Sequence, residues 1–349
     1  MAATCSKCGN KLDAESGQCL KCYLKMKKAG GGSDIPVPPV THHEDSSSHS
    51  KDYGKEHGST HIEQESNRIA PLQELLLLLE ESFLLLLSQR RNLLISLLFP
   101  LGAALVTIWI AGEDMLVNME STKSASFIIV CAAIWGGLFN SIQVIVKERN
   151  NIKRDYVSGA LRIECYTISR ALVQMGLCAI QAAVLTLTFL GMEWIYGNDL
   201  PDAGLIFGSP LPEYYISVFL VMYASDAMGL MISAIVKSEQ LASQLSPYIL
   251  IVQLLFSGVL FPMEGFSSSV SGLMVSRWGM ESLGSISNLN DLPLRLQSEF
   301  PMLSHEADEA FLYTAEHLTE VWLILVLFVV VPLILGDLAL RRVDKDGRG

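Results

Sequence analysis

Four of the chain's seven cysteines lie in the first 22 residues as two pairs, Cys5-Ser-Lys-Cys8 and Cys19-Leu-Lys-Cys22, with ten residues between them. Each Cys-x-x-Cys turn offers two thiolates from one tight bend, and two turns complete the tetrahedral set that Zn2+ prefers. Cys5, Cys8, Cys19 and Cys22 are therefore read as structural zinc ligands. The metal would be the main fold determinant of a segment with few apolar residues to bury. A redox or disulfide role fits a reducing cytoplasm less well. Five of the seven histidines (His42, His43, His49, His57 and His61) follow at irregular spacing, as a polar spacer or a metal-buffering tract.

A second candidate is Asp226, beside Ser225 in the middle of a long apolar run. A carboxylate at membrane depth must face protein or water rather than lipid, which makes it a functional-site candidate. The other reading is a neutral, hydrogen-bonded packing contact. Gln174, Gln181 and Gln253 lie on other apolar runs and are its candidate companions along a translocation path. A third candidate is the segment 147–166, dense in charges of both signs between two apolar runs. No nucleophilic triad, paired-carboxylate site or cluster of His, Asp and Glu suited to an intramembrane enzyme is visible. No Gly-x-x-x-x-Gly-Lys-Ser/Thr phosphate loop occurs in the 349 residues.

These residues need elements to hold them, and the composition says which kind. Half of the residues are hydrophobic and 17% are charged; the mean hydropathy of +0.36 is high for a soluble protein. About 20 apolar residues cross a hydrocarbon core of roughly 30 Å. Such runs occur at about 93–112, 125–146, 168–192, 214–235, 240–261 and 319–339. The expectation is an all-α polytopic membrane protein with six spans, Pro100, Pro247 and Pro332 being tolerated inside them. Residues 72–91 are leucine-rich but broken by Glu80-Glu81-Ser82. A charge near a span's centre costs about 2.5–3.5 kcal/mol, so this stretch is read as an interfacial helix. Glu74, Glu81 and Ser88 form its polar stripe, and Arg90 and Arg91 close it. A tilted seventh span is the alternative. Residues 30–71, rich in Gly, Ser, His, Lys and Glu, are read as a disordered linker between a zinc-ribbon-like module at 1–29 and a transmembrane domain at 72–349.

Lys and Arg set the orientation. They gather before the first run (Arg90, Arg91), after the second (Lys147, Arg149, Lys153, Arg154, Arg162, Arg170), after the fourth (Lys237) and after the sixth (Arg341, Arg342, Lys345, Arg348). The positive-inside rule then places both termini in the cytoplasm of a cell whose plasma (inner) membrane the chain spans. The long connection 262–318 becomes an outer loop, whose stretch 266–284 either dips back into the outer leaflet or caps the bundle. The first residues lack an apolar core, so insertion is expected through the first span without a cleaved leader. A net charge of −11 argues against nucleic acid as a partner.

In the 147–166 segment the chain resembles ABC transporter permeases of the type-2 exporter class, including the white/G subfamily. The matching positions are Glu148-Arg149, Arg154-Asp155, Gly159 and Tyr166-Thr-Ile-Ser169. The family usually has Glu at the second acid, where this chain has Asp155. Ser88-Gln-Arg-Arg-Asn-Leu-Leu94 leading to Pro100 is similar to the family's approach to its first span. Gly229-Leu-Met-Ile-Ser-Ala234 followed by Val236-Lys-Ser-Glu-Gln is similar to its fourth-span exit, and Leu255-Phe-Ser-Gly-Val-Leu-Phe-Pro262 to the end of its fifth.

The resemblance implies that residues 148–166 form a coupling helix seated on a separate ATP-binding subunit, with Glu148, Arg149, Arg154, Asp155, Gly159 and Tyr166 as its coupling residues. It also implies a homodimer or heterodimer of permeases exporting an apolar or amphipathic substrate such as a lipid, a glycan precursor or a drug. On this reading the chain is a transporter subunit rather than an enzyme, and ATP acts only through the partner. The rival reading is a membrane-anchored sensor or scaffold whose zinc module recruits a cytoplasmic partner.

Overall fold

The computed structural model describes residues 70–111, 116, 118–196, 201, 203–261, 263, 265–292 and 308–342. Two units are distinguished, 1–64 and 65–349, and every described residue lies in the second. The four zinc-ligand candidates and the linker up to residue 69 therefore lie outside the described residues.

Among the described residues the structure is all helical. Helix α1 (Pro71–Ser88) is followed by α2 (Arg90–Ala111), α3 (Met119–Ser141), α4 (Val144–Val157), α5 (Ile163–Tyr196) and α6 (Pro210–Ile235). Then come α7 (Glu239–Leu255), the short α8 (Phe266–Ser271), α9 (Val275–Ile286), a single 3-10 turn at Glu309–Phe311, and α10 (Ala315–Leu340). Five of these stretches are long and apolar enough to cross a membrane: α2, α3 running on into α4, α5, α6 and α10. The expected run at 240–261 is shorter as a helix. Helix α7 has 17 residues and stops at Leu255, and Gly258 in the turn that follows has φ +78°.

Local chemistry sets the boundaries. Asn118, Ser209, Ser238 and Thr314 each accept a hydrogen bond from a first-turn N–H of the helix they precede, satisfying donors that have no partner inside the helix. Pro71 and Pro210 sit at helix starts, where a missing N–H costs nothing.

Helix α6 is the hub, packing against α10, α3, α5, α9 and α4. Its contact with α3 is close because the residues between the backbones are small. A Cβ added at Gly137 would overlap the Met222 carbonyl, and one at Gly229 would overlap the Ser141 hydroxyl. Ser141 Oγ donates to the Asp226 carbonyl oxygen at 2.7 Å across this seam. Backbone-to-backbone approach of this kind is how helices associate in lipid, where apolar burial supplies no driving force.

In the connection expected to lie outside, α9 is almost wholly buried against α6, α10 and α3. Arg277 and Glu281 pair across one turn at 2.8 Å. Burial pushes the Glu281 carboxyl up, and the Arg277 guanidinium pulls it back. Part of the 266–284 stretch is thus a helix packed into the bundle rather than an ordinary loop.

Candidate functional site

Helix α4 is the charged segment singled out by sequence, and it divides into two faces. A two-residue turn at Ile142-Gln143 separates it from α3. Its own first-turn N–H groups would be orphaned there, but Ser233 Oγ of α6 accepts from both Ile145 and Val146 at 3.0 Å. The Gln143 side chain donates to Ser243 of α7 at 2.5 Å. The helix ends in a Schellman arrangement: Gly159, with φ +74°, donates to the Tyr156 carbonyl, and Ala160 donates to Asp155, both at 3.0 Å.

The inward face carries Glu148, Arg149, Ile152 and Tyr156. Glu148 Oε2 accepts from the Tyr166 hydroxyl at 2.8 Å and is also ion-paired with Arg170, both on α5. The Arg170 guanidinium lies 5.2 Å over the Tyr166 ring, so the three side chains form one clamp. Arg149 donates to the carbonyls of Ala234 and Val236 at 2.7 and 3.2 Å, capping the C-terminal end of α6. The outward face carries Lys147, Asn150, Asn151, Arg154 and Val157, all exposed. Arg154 and Asp155 pair at 3.1 Å with side chains 74% and 43% exposed. So the expected coupling residues separate: Glu148, Arg149 and Tyr166 fasten α4 to the bundle, Gly159 ends it, and Arg154 and Asp155 are presented outward.

Two further ties join the same end of the molecule. Glu74 of α1 accepts from the Arg162 backbone N–H at 2.7 Å and pairs with its guanidinium at 3.5 Å. Arg341 bridges Glu164 at 2.9 Å and Asp337 at 2.8 Å, linking the start of α5 to the end of α10. In the polar stripe expected on α1, Glu74 is an anchoring residue, whereas Glu81 and Ser88 are exposed.

The four candidate path residues do not form one site. Gln181 lies in a buried polar knot: its Oε1 accepts from Asn140 at 2.6 Å and its Nε2 donates to the Ser96 carbonyl at 2.7 Å. Ser96 Oγ in turn donates to Asn140 Oδ1 at 2.8 Å, and Gln174 donates to the Asn140 carbonyl at 3.0 Å. Gln253 is elsewhere, accepting from the Ser276 N–H at 3.1 Å and so tying α7 to the start of α9. Asp226 is fully buried, and neither carboxylate oxygen has a hydrogen-bond partner among the described residues. Its neighbour across the seam, Ser141, gives its proton to the backbone instead.

Sequence reasoning missed Asn140, Ser96, Ser233 and Arg170 as working residues. Asn140 is a polar residue inside an apolar run and carried the same signal as the glutamines. Arg170 follows Tyr166 at i+4, one helical turn away. Ser233 lay within the Gly229–Ala234 motif, but its role exists only once α4 folds back against α6.

Residues 73–286 match the family model described as ABC-2 type transporter. That match begins two residues into α1 and ends with the last residue of α9. The chain is also 29% identical over 150 residues to an ABC transporter ATP-binding/permease protein of Mycobacterium tuberculosis, an alignment that takes in 42% of this chain and 17% of that protein.

Proposed function

The chain belongs to the ABC-2 type transporter family, and we propose that it is the permease subunit of an ATP-binding-cassette exporter that moves an apolar or amphipathic substrate outward. The observation that carries the reading is the two-faced α4. A helix that is to transmit force needs one face fixed to the moving bundle and one face free for the motor. The inward clamp on α5 and α6 supplies the first, and the exposed face from Asn150 to Val157 supplies the second. Because α4 is clamped to α5 through Glu148 and to α6 through Arg149, a push on its outer face reaches both spans together.

On this account ATP is hydrolysed by a separate ATP-binding subunit that docks on Arg154, Asp155 and Val157, and two permease copies or a related pair form the transporter. Helix α7 with the turn after it serves as the fifth of six spans, α1 lies at the inner membrane surface, and both termini are cytoplasmic. The Ser96–Asn140–Gln181 knot with Gln174 is the best candidate for polar contact along the path. The N-terminal cysteines are a zinc ribbon by the chemistry of their donor set, four thiolates in two Cys-x-x-Cys turns. They regulate or recruit rather than transport.

The test is copurification of the full chain in mild detergent, with ATPase activity measured on the product. An ATP-binding subunit should follow the wild-type chain, and Arg154→Ala with Asp155→Ala should release it or lower its activity about tenfold. If no ATPase follows the intact wild-type chain, the sensor reading takes its place.

A further inference from the structure

Two adjoining hollows open between α1, α2 and α5, and the second is lined as well by Glu148 of α4 and by Ser96, Asn140 and Gln174 of the polar knot. One is an apolar slot of about 570 Å³ walled by leucines of α1 and α2, Phe83, and Leu172 and Gly176 of α5. The other is a polar cleft of about 330 Å³ that reaches Gln89, Asn92, Lys147 and Arg170. Leu86, Leu93, Val173 and Leu177 line both. A molecule lying across the pair must therefore be apolar along one part and polar at the other.

The polar end has a sign. The Arg170 side chain is 10% exposed and its Nη2 is committed to Glu148. Its Nε is buried with no hydrogen-bond partner among the described residues. A buried guanidinium N–H without an acceptor is costly, so such a group marks a place for an acceptor. Lys147 adds a second cation on the same cleft, and the one acid lining it, Glu148, is already bound to Tyr166 and Arg170. Glu80 lines the apolar slot but not the polar cleft.

We propose that the two hollows hold one anionic phospholipid, with an acyl chain in the slot and the phosphate in the cleft beside Arg170 and Lys147. The inference rests on the proposed placement of α1 at the inner membrane surface, where such a lipid is at hand. A phosphodiester supplies the acceptor oxygens and the negative charge that the cleft lacks. The headgroup then shares Arg170 with the clamp on α4, so lipid charge bears on the helix that meets the ATP-binding partner.

The experiment uses the full chain, delipidated in mild detergent without any ATP-binding partner. It is titrated with phosphatidylglycerol, phosphatidylcholine or inorganic phosphate, and retained lipid is counted by native mass spectrometry. One phosphatidylglycerol per chain is expected, with phosphatidylcholine held severalfold more weakly and millimolar inorganic phosphate failing to displace the lipid. Lys147→Gln should weaken retention about fivefold, the effect of one basic residue at an anionic surface. Gly176→Phe should abolish retention by filling the slot, and because a Cβ there meets nothing within 4 Å the fold should survive. A thermal midpoint near wild type checks that it does. Equal retention of the two lipids, displacement by inorganic phosphate, no effect of Lys147→Gln, or full retention by folded Gly176→Phe protein overturns the proposal. No ATPase enters this measurement, so its failure leaves the permease reading standing, and a failed copurification leaves the lipid site standing.

Discussion

Replacing Glu148 by Gln separates the two faces of α4 most sharply. The carboxylate accepts from Tyr166 and holds Arg170, whose side chain is 10% exposed, while its own side chain is 29% exposed. Removing one partner of a fully buried pair costs roughly 3–5 kcal/mol. The partial exposure of Glu148 lets water screen the charge left on Arg170, so the expected loss is about 2–3 kcal/mol. At roughly 2–4 °C per kcal/mol for a domain of this size, the thermal midpoint in detergent should fall on the order of 5 °C. The comparison is Arg154→Ala with Asp155→Ala, an exposed pair of a kind worth about 0–1 kcal/mol. That double variant should keep the wild-type midpoint yet lose its stimulation by, or of, the ATP-binding partner. Thermal unfolding of both proteins beside their ATPase activity reads the two effects independently. A large midpoint drop for the exposed pair, or none for Glu148→Gln, would refute the assignment of inward clamp and outward contact.

Other perturbations follow from the same geometry. Ser233→Ala strips the acceptor from two buried N–H groups of α4, each costing about 1–3 kcal/mol when unsatisfied, and should lower both the thermal midpoint and coupled activity. Gly159→Ala forces a side chain into φ +74° and should cost about 1 kcal/mol, read as a midpoint shift of a few degrees with the exposed face of α4 otherwise unchanged. Gly229→Leu should prevent assembly of the α3–α6 seam, seen as loss of monodisperse protein on size exclusion, because even a Cβ there meets the Ser141 hydroxyl. Elemental analysis of the full chain should find one zinc per chain, lost on Cys5→Ser with Cys8→Ser, while the midpoint of the membrane domain stays at its wild-type value.

Much of the architecture was legible because lipid imposes a simple demand: long apolar helices, interrupted only where neighbours supply partners. The five stretches able to cross a membrane fall on runs visible in the sequence. The division of 147–166 into a clamped and an exposed face was not, since Glu148 and Arg154 look alike as charged residues in an inner connection. What distinguishes them is a turn at Ile142-Gln143 and the rotation of α4 that follows, where Ser233, far away in sequence on α6, accepts the N–H groups that the turn leaves without partners. The glutamines divide for a related reason. Gln174, Gln181 and Gln253 each stand out in an apolar run, but Gln181 binds Asn140 and Ser96 whereas Gln253 binds the start of α9. Which polar residues meet is set by helix rotation, which hydropathy does not encode.

Site-specific photocrosslinking asks whether the outer face of α4 meets an ATP-binding partner. A photoreactive phenylalanine analogue is placed at position 154, 157 or 148 of the full chain in cells, and the adducts are identified by mass spectrometry. Positions 154 and 157 should capture a protein carrying a Gly-x-x-x-x-Gly-Lys-Ser/Thr loop, and position 148 should capture only the chain itself. Capture of such a protein from 148 alone, or from none of the three while the chain is intact, would contradict the account.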